Sequence, residues 1–361
     1  MSMEQKSRRI GIGSVGLGNI SKGVHLPGIE RSPDLKLVAL CDIDPKALKE
    51  AQEKYNIPDS HCFTNYQDLI NCPDVEAVDI STPNDSHFEI AYAAAMAGKP
   101  YALEKPITMT REEADKLAEI TREKGLKSMV CFSYRFIPAV RYMKDIIDRG
   151  LIGDIYHVSM QYFQAWGLPD ANVPLVWRYI KERTGSGALG DLGSHGIDLV
   201  RFVTGKEYKK VIGHAGTFVH ERKIPGSDET GKVDVDDFCN YMAEMDGNTS
   251  VNFQITRFAY GRGNYQRMEV YGSKGAMVYH LDATPNTNEI EVCMGEVNRE
   301  ARVFTKLPIP DKFKADQMQS FADILKDKGD DLAATIFDGQ RNQHVLDSIL
   351  ESVEKGEWVT L

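Results

Sequence analysis

Apolar strand patterns alternate with amphipathic helix patterns through the first 130 residues, and this alternation restricts the possible folds more than any other feature of the sequence. The strand patterns cover residues 9–15, 36–41, 77–80, 100–103 and 127–132. A strand–helix–strand order of this kind predicts a parallel sheet that is covered by helices on both faces. Residues 1–132 are therefore predicted to form a doubly wound α/β domain.

The remaining residues, 133–361, follow a different pattern, with consecutive strands and few helices between them. Helix patterns cover residues 138–149, 188–203 and 333–354, and period-two strand patterns cover residues 211–219, 237–245, 249–258 and 266–271. Consecutive strands without crossover helices predict antiparallel pairing. The second domain is thus expected to be α+β, and a length of 361 residues agrees with two domains.

Charge and cysteine usage exclude several classes of partner. The chain has 43 Lys and Arg against 53 Asp and Glu, a net charge of −10, which disfavours binding to nucleic acid or to an anionic membrane surface. No window of 18 apolar residues is present, so no membrane span is expected. The six cysteines lack the spacing of a zinc site, so we expect no metal and a reduced, cytoplasmic protein.

Two overlapping stretches resemble the glycine pattern GxGxxG of a dinucleotide-binding turn. Gly11, Gly13 and Gly16 match it by letter, but too few residues precede them to form the required strand. Gly16, Gly18 and Ser21 depart from it at the third position, yet a strand pattern precedes them and a helix can follow. We therefore choose the second stretch, in which Gly16 allows a tight turn and Gly18 lets the backbone approach a pyrophosphate.

An acidic residue that binds the adenosine ribose hydroxyls is expected about 20 positions after such a turn. Asp42, at the end of the second strand pattern, meets this expectation, whereas Asp44 is already explained as the cap of the helix that Pro45 begins. A carboxylate repels a 2′-phosphate, and no arginine lies within residues 43–48. NAD is therefore favoured over NADP, although Lys46 leaves NADP open.

Three titratable side chains form the candidate catalytic group. Lys105 follows the strand pattern 100–103, at the edge of a parallel sheet where ligands bind. Asp191 and His195 are four residues apart in a helix pattern and are expected to share one face. Each feature alone is commonly structural, as a surface lysine or as a helix-terminal carboxylate beside a partly buried histidine. Together, an ammonium, a carboxylate and an imidazole are able to move a proton on and off a hydroxyl.

The chain resembles the family of glucose-fructose oxidoreductase and inositol dehydrogenase over nearly its full length. The resemblance rests on short motifs that are weak singly but specific in their order along the chain. They are Gly16-Leu-Gly18-Asn19-Ile20, Cys41-Asp42, Ser81-Thr82-Pro83-Asn84 with His87, Glu104-Lys105-Pro106, Tyr134-Arg135-Phe136, the stretch from Gly185 to His195, and Gly272-Ser-Lys274-Gly275. Ser21 departs from the commoner Gly or Ala, which affects packing more than chemistry.

This resemblance implies an N-terminal Rossmann domain and a C-terminal α+β domain with an open-faced, mainly antiparallel sheet that commonly supports dimers or tetramers. It also implies an NAD(P)-dependent oxidoreductase acting on CH–OH groups. In that reaction His195 takes the hydroxyl proton, Asp191 orients His195, and Lys105 stabilises the developing alkoxide. The residues expected to hold the cofactor are Gly16, Gly18, Asn19, Ile20, Asp42, Ser81, Thr82, Pro83, Asn84, His87, Glu104 and Lys105.

The expected substrate is an uncharged polyol ring, which means a sugar, a glycoside or a cyclitol. Trp166 and Arg178 lie in an aromatic-rich segment that suits a sugar ring, although core packing explains the same rings. Tyr134 stands where inositol dehydrogenase-like relatives face the substrate, often with an arginine, so a phosphorylated substrate is disfavoured. By analogy within the family, oxidation at C3 of a glucoside would prepare the sugar for cleavage by a partner lyase.

Four alternatives stay open on the sequence. One is an inositol dehydrogenase, and another is an NAD-dependent glycosidase that oxidises and then re-reduces its substrate. A third is a reductase that runs toward the alcohol. The fourth is a non-catalytic NAD-binding regulator similar to the galactose-pathway repressor, which the joint presence of Lys105, Asp191 and His195 disfavours.

Overall fold

The computed structural model describes residues 8–283 and 286–361 of the chain. These residues divide into two compact units. The first unit contains the described residues up to Ser133 together with Ala315–Gln340, and the second contains Tyr134–Lys314 and Arg341–Leu361. The domain boundary predicted from the sequence, at residue 132, assigns residues 315–340 to the second domain. The structure groups these residues with the first unit.

A sheet of six parallel strands forms the centre of the first unit, one strand more than the alternating pattern predicts. In chain order the strands are β1 Ile10–Val15, β2 Leu35–Cys41, β3 Cys62–Phe63, β4 Ala77–Ile80, β5 Tyr101–Leu103 and β6 Ser128–Val130. They lie in the order β3-β2-β1-β4-β5-β6, and all neighbours are parallel. This is the Rossmann order, in which ligands bind at the carboxyl ends of the strands where the order reverses, between β1 and β4.

Helices connect the strands of the first unit, and one more comes from its second segment. They are Leu26–Arg31, Pro45–Tyr55, Tyr66–Asn71, His87–Met96, Arg111–Glu123 and, in its second segment, Gln317–Leu325. The cap predicted at Asp44 is confirmed, because its side chain accepts a hydrogen bond from the Lys46 N–H. Leu69, Val78 and Leu117 belong to the buried core that the helices and the sheet share. The first unit is therefore the doubly wound domain that the sequence predicts.

A nine-stranded sheet dominates the second unit. The strands of this unit are β7 Ile155–Phe163, β8 Tyr208–Gly216, β9 Glu221–Lys223, β10 Thr230–Lys232, β11 Phe238–Met245, β12 Thr249–Thr256, β13 Tyr265–Gly272, β14 Gly275–Ala283, β15 Asn286–Met294, β16 Thr305–Lys306 and β17 Val359–Thr360. The large sheet has the order β16-β15-β14-β13-β7-β12-β11-β8-β17, and β9 and β10 form a separate sheet. Neighbouring strands of the large sheet pair antiparallel, except for β7 and β12, which are parallel to each other. The prediction of a mainly antiparallel sheet is therefore confirmed.

Along β11 and β12, one face of this sheet is covered and the other is exposed. On β11 and β12, Tyr241 and Phe253 are buried, while Met242 and Asn252 beside them are exposed. The helix Ser194–Thr204 covers the buried face. The other helices of the unit are Pro138–Asp148, Lys181–Thr184, Gly295–Ala301 and the part of Ile336–Lys355 after residue 340. Within residues 8–283 and 286–361, no helix combines the length and apolar character that crossing a membrane requires.

The sequence patterns do not predict the short strands β3, β9, β10, β16 and β17 or the longer strands β7, β14 and β15. In β7 two exposed residues, Tyr156 and His157, follow each other and interrupt the alternation. In β14 three consecutive residues, 277–279, are buried, which removes the period of two altogether. A strand is recognised from sequence by its alternation, so β14 lacks the required signal, and in β7 the alternation is confined to residues 158–163.

Buried polar contacts attach the segment 315–340 to the first unit. Asp34, which precedes β2, is buried, and its carboxylate accepts hydrogen bonds from Lys326, from Lys328 at 3.2 Å and from Gln319 at 3.0 Å. Further along, the Val130 N–H donates to a main-chain carbonyl of the same segment at 2.8 Å. These partners lie far apart in the sequence, so no local pattern predicts their contact.

Replacing Asp34 by alanine should lower the free energy of unfolding by about 2 kcal/mol, because the partly buried donors Lys326 and Gln319 would lose their acceptor. Lys326 and Gln319 hold the pKa of Asp34 well below its usual value. This contribution to stability is therefore present above about pH 4 and is lost as the pH falls further. Urea denaturation of the two proteins from neutral to acidic pH measures the difference. Glu50→Ala, which removes the exposed partner of Lys22, is the control and should leave unfolding nearly unchanged.

Candidate active site residues

The turn after β1 has the geometry of a dinucleotide-binding turn. Gly16 has a φ of +88°, which strains any residue with a side chain, and a Cβ there would lie 2.7 Å from the Thr82 nitrogen. The Gly16 carbonyl accepts a hydrogen bond from the Ser81 hydroxyl at 2.8 Å. Gly11 and Gly13 are part of the strand β1, and the second glycine stretch begins at the turn that ends it.

Gly18 ends this turn, and the helical residues Asn19 and Ile20 lead into a π-helical turn, Ser21–His25. A Cβ at Gly18 would meet no atom within 4 Å, so space is open beside the backbone where the sequence predicts a pyrophosphate. Asp42 lies next to the turn, because its Oδ2 accepts the Leu17 N–H at 2.6 Å. The predicted glycine turn and the predicted acidic residue are thus neighbours.

The loop after β4 contains Ser81–Asn84 and is joined to the loop after β5 by His87. The His87 ring lies between two carbonyl oxygens, with Nδ1 2.7 Å from that of Pro106 and Nε2 2.9 Å from that of Thr82. The Thr82 hydroxyl is buried and has no hydrogen-bond partner among the described residues. A buried hydroxyl without a partner is costly, so this position suits a site that a polar ligand completes.

Lys105 follows β5 and is held through its main chain. The buried Glu104 carboxylate accepts the Lys105 N–H through Oε2 at 3.1 Å, and its Oε1 lies 3.0 Å from His25 Nε2. The Lys105 side chain is partly exposed. The ammonium is therefore attached to a fixed main chain at the carboxyl end of the sheet.

The first unit thus gathers Lys105 and every predicted cofactor residue at the carboxyl ends of β1, β2, β4 and β5. They are Gly16, Gly18, Asn19, Ile20, Asp42, Ser81, Thr82, Pro83, Asn84, His87, Glu104 and Lys105. The open space at Gly18, the Asp42 carboxylate and the unpartnered Thr82 hydroxyl fit a bound dinucleotide.

In the second unit, Asp191 and His195 lie where the type of helix changes. A π-helical turn at Leu189–Gly193 is followed by the α-helix Ser194–Thr204, whereas the sequence predicts one regular helix over residues 188–203. Short π-helical turns inside α-helices occur frequently at functional sites. The two candidate residues therefore stand on an irregular segment, one on each side of the change.

Asp236 fixes the start of this segment. Its carboxylate accepts the N–H of Gly187 at 2.6 Å and that of Leu189 at 2.7 Å, and its carbonyl accepts the N–H of Ala188 at 2.9 Å. A Cβ at Gly187 would lie 1.9 Å from the Asp236 carbonyl oxygen. Only glycine permits so close an approach of the two main chains, which explains its place in the motif.

Arg257, just after β12, is fully buried and contacts the candidate carboxylate. Its Nη2 lies 3.2 Å from Asp191 Oδ2 and 2.9 Å from the Gly187 carbonyl oxygen. The guanidinium also lies over the Trp166 ring, 4.7 Å from its centre. A buried guanidinium requires an anionic partner, so Arg257 favours the ionised form of Asp191 and restricts its position.

His195 is buried against two tyrosine rings. Its ring centre lies 4.7 Å from that of Tyr134 and 6.2 Å from that of Tyr162. The two phenol oxygens are 2.5 Å apart, and Asn264 bonds to both, donating to Tyr134 and accepting from Tyr162 at 2.8 Å each. Burial raises the pKa of both phenols, and the nearby Asp191 carboxylate raises it further. Tyr134, Asp191 and His195 therefore belong to one cluster that contains neutral phenols.

The other two predicted substrate residues, Trp166 and Arg178, are placed differently. Trp166 stacks on Arg257 and donates its indole N–H to Gln164 Oε1 at 2.6 Å. The Arg178 guanidinium lies over the Trp177 ring, 4.3 Å from its centre, while its main-chain carbonyl is 3.4 Å from Arg257. Trp166 thus joins the cluster around Asp191, whereas the Arg178 side chain contacts Trp177.

Sequence patterns miss several residues that shape these sites. They are His25, Tyr162, Asp236, Arg257 and Asn264. Asp236 directly precedes the strand pattern 237–245, and Arg257 lies near the end of the pattern 249–258. A charged residue beside an apolar one, Val235 or Phe258, is the signal that could have identified them. Tyr162 and Asn264 give no comparable signal, because they are 102 positions apart and meet only through the sheet.

Comparison with known proteins agrees with this arrangement. Residues 10–132 match the model of the GFO_IDH_MocA oxidoreductase family, NAD-binding Rossmann fold, and residues 140–278 match that of the GFO/IDH/MocA C-terminal domain. The fold and these matches define an NAD-dependent oxidoreductase that acts on CH–OH groups. The chain belongs to the GFO/IDH/MocA family, as the resemblance predicts.

Curated relatives match nearly the whole chain. Levoglucosan dehydrogenase of Pseudarthrobacter phenanthrenivorans is 31% identical, over 91% of this chain and 89% of that protein. Inositol 2-dehydrogenase of Rhizobium meliloti is 28% identical, over 97% of this chain and 98% of that protein.

Solved structures show the same similarity. A levoglucosan dehydrogenase in complex with NADH has a TM-score of 0.88 at 30% identity, over 98% of this chain and 99% of that chain. An oxidoreductase domain protein from Kribbella flavida has a TM-score of 0.87 at 31% identity, also over 98% and 99%. The two-domain fold is therefore shared with a dinucleotide-binding dehydrogenase along almost its entire length.

Replacing Gly187 by alanine should displace the start of the segment that carries Asp191, since the new Cβ would lie 1.9 Å from the Asp236 carbonyl oxygen. We expect the free energy of unfolding to fall by about 1–3 kcal/mol, as for other overpacked buried positions. Chemical denaturation measures this loss. Gly23→Ala, whose Cβ would meet no atom within 4 Å, is the matched control. Equal stability of the two variants would show that this close approach is not required.

Proposed function

We propose that the protein is an NAD-dependent dehydrogenase that oxidises a secondary hydroxyl of a sugar, a glycoside or a cyclitol to a ketone. The cluster in the second unit carries this proposal, because a buried imidazole, a carboxylate beside Arg257 and two neutral phenols lie together there. Such groups bind the hydroxyls of an uncharged polyol and accept the one proton that its oxidation releases.

His195 is the proposed general base that takes the proton of the substrate hydroxyl. Asp191 is proposed to orient His195 and to stabilise the imidazolium that forms, and the contact with Arg257 supports this role by favouring an ionised Asp191. The phenol of Tyr134, which lies against His195, stays neutral because burial raises its pKa. It is therefore suited to hydrogen-bond an uncharged substrate.

Lys105 is the proposed electrostatic stabiliser of the alkoxide that develops when the hydroxyl loses its proton. In this proposal Lys105 and His195 act on the same hydroxyl. When bound, NAD supplies the acceptor for the hydride. The open backbone at Gly18 would receive the pyrophosphate, and Asp42 would accept hydrogen bonds from the ribose hydroxyls and repel a 2′-phosphate.

We propose a neutral ring as the substrate, with oxidation at C3 of a glucoside as the specific reaction and a cyclitol as the alternative. The stacked Trp166 and the phenols near His195 support a ring with apolar C–H faces and neutral hydroxyls. Among the relatives, a levoglucosan dehydrogenase structure contains NADH and levoglucosan, and another relative is an inositol 2-dehydrogenase. A 3-keto glucoside has an acidified C2 hydrogen, so a lyase that eliminates the aglycone would be its consumer.

We further propose that the protein works in the cytoplasm as a homodimer or homotetramer. The six cysteines, all within the described residues, are free thiols, which is typical of a reducing compartment. The exposed face of the nine-stranded sheet, with Met242 on β11, supports association with a second copy.

Substitution of the proposed catalytic residues should lower turnover without preventing cofactor binding. We expect Lys105→Met to reduce kcat by about 10²–10³-fold, through loss of alkoxide stabilisation. We expect His195→Asn to reduce it by about 10²–10⁴-fold, through loss of the base. Lys116→Met, on an exposed position of the helix Arg111–Glu123, is the control. NADH binding, measured by fluorescence, should stay nearly intact in the Lys105 variant, and loss of folding, measured by circular dichroism, would contradict its assignment.

Asp42→Ala should weaken NAD binding and narrow the preference for NAD over NADP, because the variant neither binds the ribose hydroxyls nor repels a 2′-phosphate. Titration of both cofactors by fluorescence measures the two dissociation constants. Asp44→Ala removes the neighbouring helix cap without touching the turn and serves as the control. If the ratio of the NAD and NADP dissociation constants is unchanged in Asp42→Ala, Asp42 does not bind the adenosine ribose.

The substrate class is tested by incubating the protein with NAD and a panel of levoglucosan, inositols, free sugars and aryl glucosides. Absorbance of NADH and mass spectrometry of the products are followed together. NADH formation with a product lighter by two hydrogens identifies a dehydrogenase and its substrate. Cleaved glycoside without net NADH would indicate a glycosidase that recycles its cofactor, and NADH binding without turnover of any compound would favour a regulator.

A further inference from the structure

A histidine is buried between two carboxylates beneath the dinucleotide turn. His25 has no exposed surface, and its Nδ1 lies 2.7 Å from Asp79 Oδ1 while its Nε2 lies 3.0 Å from Glu104 Oε1. Both partners are buried as well. An ionised carboxylate only accepts hydrogen bonds, so a ring that bonds to two of them must carry a proton on each nitrogen.

The surroundings of His25 favour this charged form. Asp79 lies in the middle of the buried strand β4, and the Ser14 hydroxyl on β1 donates to its second oxygen at 2.8 Å. Burial by itself lowers the pKa of His25, but Asp79 and Glu104 outweigh it and raise the pKa to about 10. Burial likewise raises the pKa of Glu104, but His25 and Lys105 together outweigh burial and lower it. The third titratable neighbour, Cys131, has a pKa well above its usual value because of burial, and stays neutral.

The same ring connects two parts of the proposed site. His25 is the last residue of the π-helical turn Ser21–His25, which directly follows the glycine turn. On its other side, Glu104 uses its second oxygen to accept the main-chain N–H of Lys105 at 3.1 Å, and the Glu104 N–H donates to the Ile80 carbonyl. The chain of contacts therefore runs from the glycine turn through His25 and Glu104 to Lys105, entirely within the first unit.

We infer that His25 is a buried cation that positions Lys105, by fixing the Glu104 carboxylate between the π-helical turn and the Lys105 main chain. His25 does not touch the reacting atoms in this scheme, and it acts through its neighbours. The inference rests on the proposed role of Lys105 and adds a residue to which the sequence motifs assign no role. It also predicts that the glycine turn and the ammonium of Lys105 keep a fixed relation to each other.

A bound metal ion is the competing explanation for this cluster. Ligand atoms of His25, Glu104 and Cys131 all lie within 4.8 Å of one another. We favour the proton because a carboxylate faces each ring nitrogen at a hydrogen-bond distance, and two ionised carboxylates around one imidazolium leave the group nearly balanced in charge. Metal analysis of the purified protein distinguishes the two, and a stoichiometric ion held by this cluster would overturn the inference.

The first test uses the protein without substrate, so it does not depend on any proposed activity. Long-range ¹H–¹⁵N spectra of protein with ¹⁵N-labelled histidine report the protonation of each ring, and His25→Gln assigns the signal. We expect a doubly protonated His25 ring from neutral pH up to about pH 9, because its pKa is raised to about 10. A neutral ring at pH 8 would overturn the inference, even if the His25→Gln variant proved too unstable for kinetics.

The second test asks whether His25 acts through Lys105. We expect His25→Gln to lower kcat by about 10- to 100-fold with little change in NADH affinity, and to have almost no further effect when Lys105→Met is already present. His61→Gln, which removes a more exposed histidine paired with Asp74, is the matched control and should leave kcat unchanged. An equal loss of kcat with and without Lys105 would show that His25 acts only on folding, and would overturn the inference.

A readout on Lys105 itself separates this inference from the proposed function. Reductive ¹³C-methylation labels the lysines, and Lys105→Arg assigns the Lys105 signal. His25→Gln should shift the chemical shift or titration of that signal, whereas His61→Gln should not. If the wild-type protein oxidises no compound while this shift is seen, the proposed function fails and the positioning contact stands. If the wild-type protein oxidises a substrate and the Lys105 signal is the same in His25→Gln and His61→Gln, the positioning role of His25 is refuted and the proposed function stands.

Discussion

Parallel strand pairing is the constraint on which the first unit depends. Because β1, β2, β4 and β5 run in the same direction, their last residues reach the same edge of the sheet. That edge collects the glycine turn, Asp42, the loop with Thr82 and the main chain of Lys105, which are far apart in the sequence. Main-chain hydrogen bonds between strands, rather than long loops, set their positions. The buried imidazole of His25 then connects the first of these groups to the last.

Buried charge has the corresponding role in the second unit. The Asp236 carboxylate holds the main-chain N–H groups where the π-helical turn begins, and the Arg257 guanidinium holds Asp191 within it. Taking such ions out of water costs several kcal/mol each, and only close, well-directed partners offset that cost. Each ion therefore tolerates few arrangements of its partner. The need to hold Asp236 in one arrangement explains why residue 187 is glycine, because only glycine allows the Asp236 main chain to approach so closely.

Features with a local signal could be predicted from the sequence, and features made by distant contacts could not. All strands of the parallel sheet except the two-residue β3, the glycine turn and Asp42 follow from alternation, glycine positions and spacing. The motifs identified Lys105, Asp191 and His195, and the structure joins the last two to Tyr134. Strand β14 was missed because its buried residues are consecutive. The π-helical turn at Asp191 has no sequence signal that we know, and the contact of Asp34 with Lys326 joins residues 292 positions apart.

Residues 315–340 belong to the first unit, although they are synthesised after most of the second unit. The first unit therefore cannot be completed when its first 133 residues have been synthesised. The parallel sheet ends at Val130, but the segment that contacts Asp34 leaves the ribosome only after most strands of the other unit. At about 5–20 residues per second, this delay lasts on the order of 10 to 40 seconds. During that interval the nascent Rossmann unit exposes the surface that this segment later covers. Chaperones that bind nascent chains therefore have a defined target and a defined period in which to act on it.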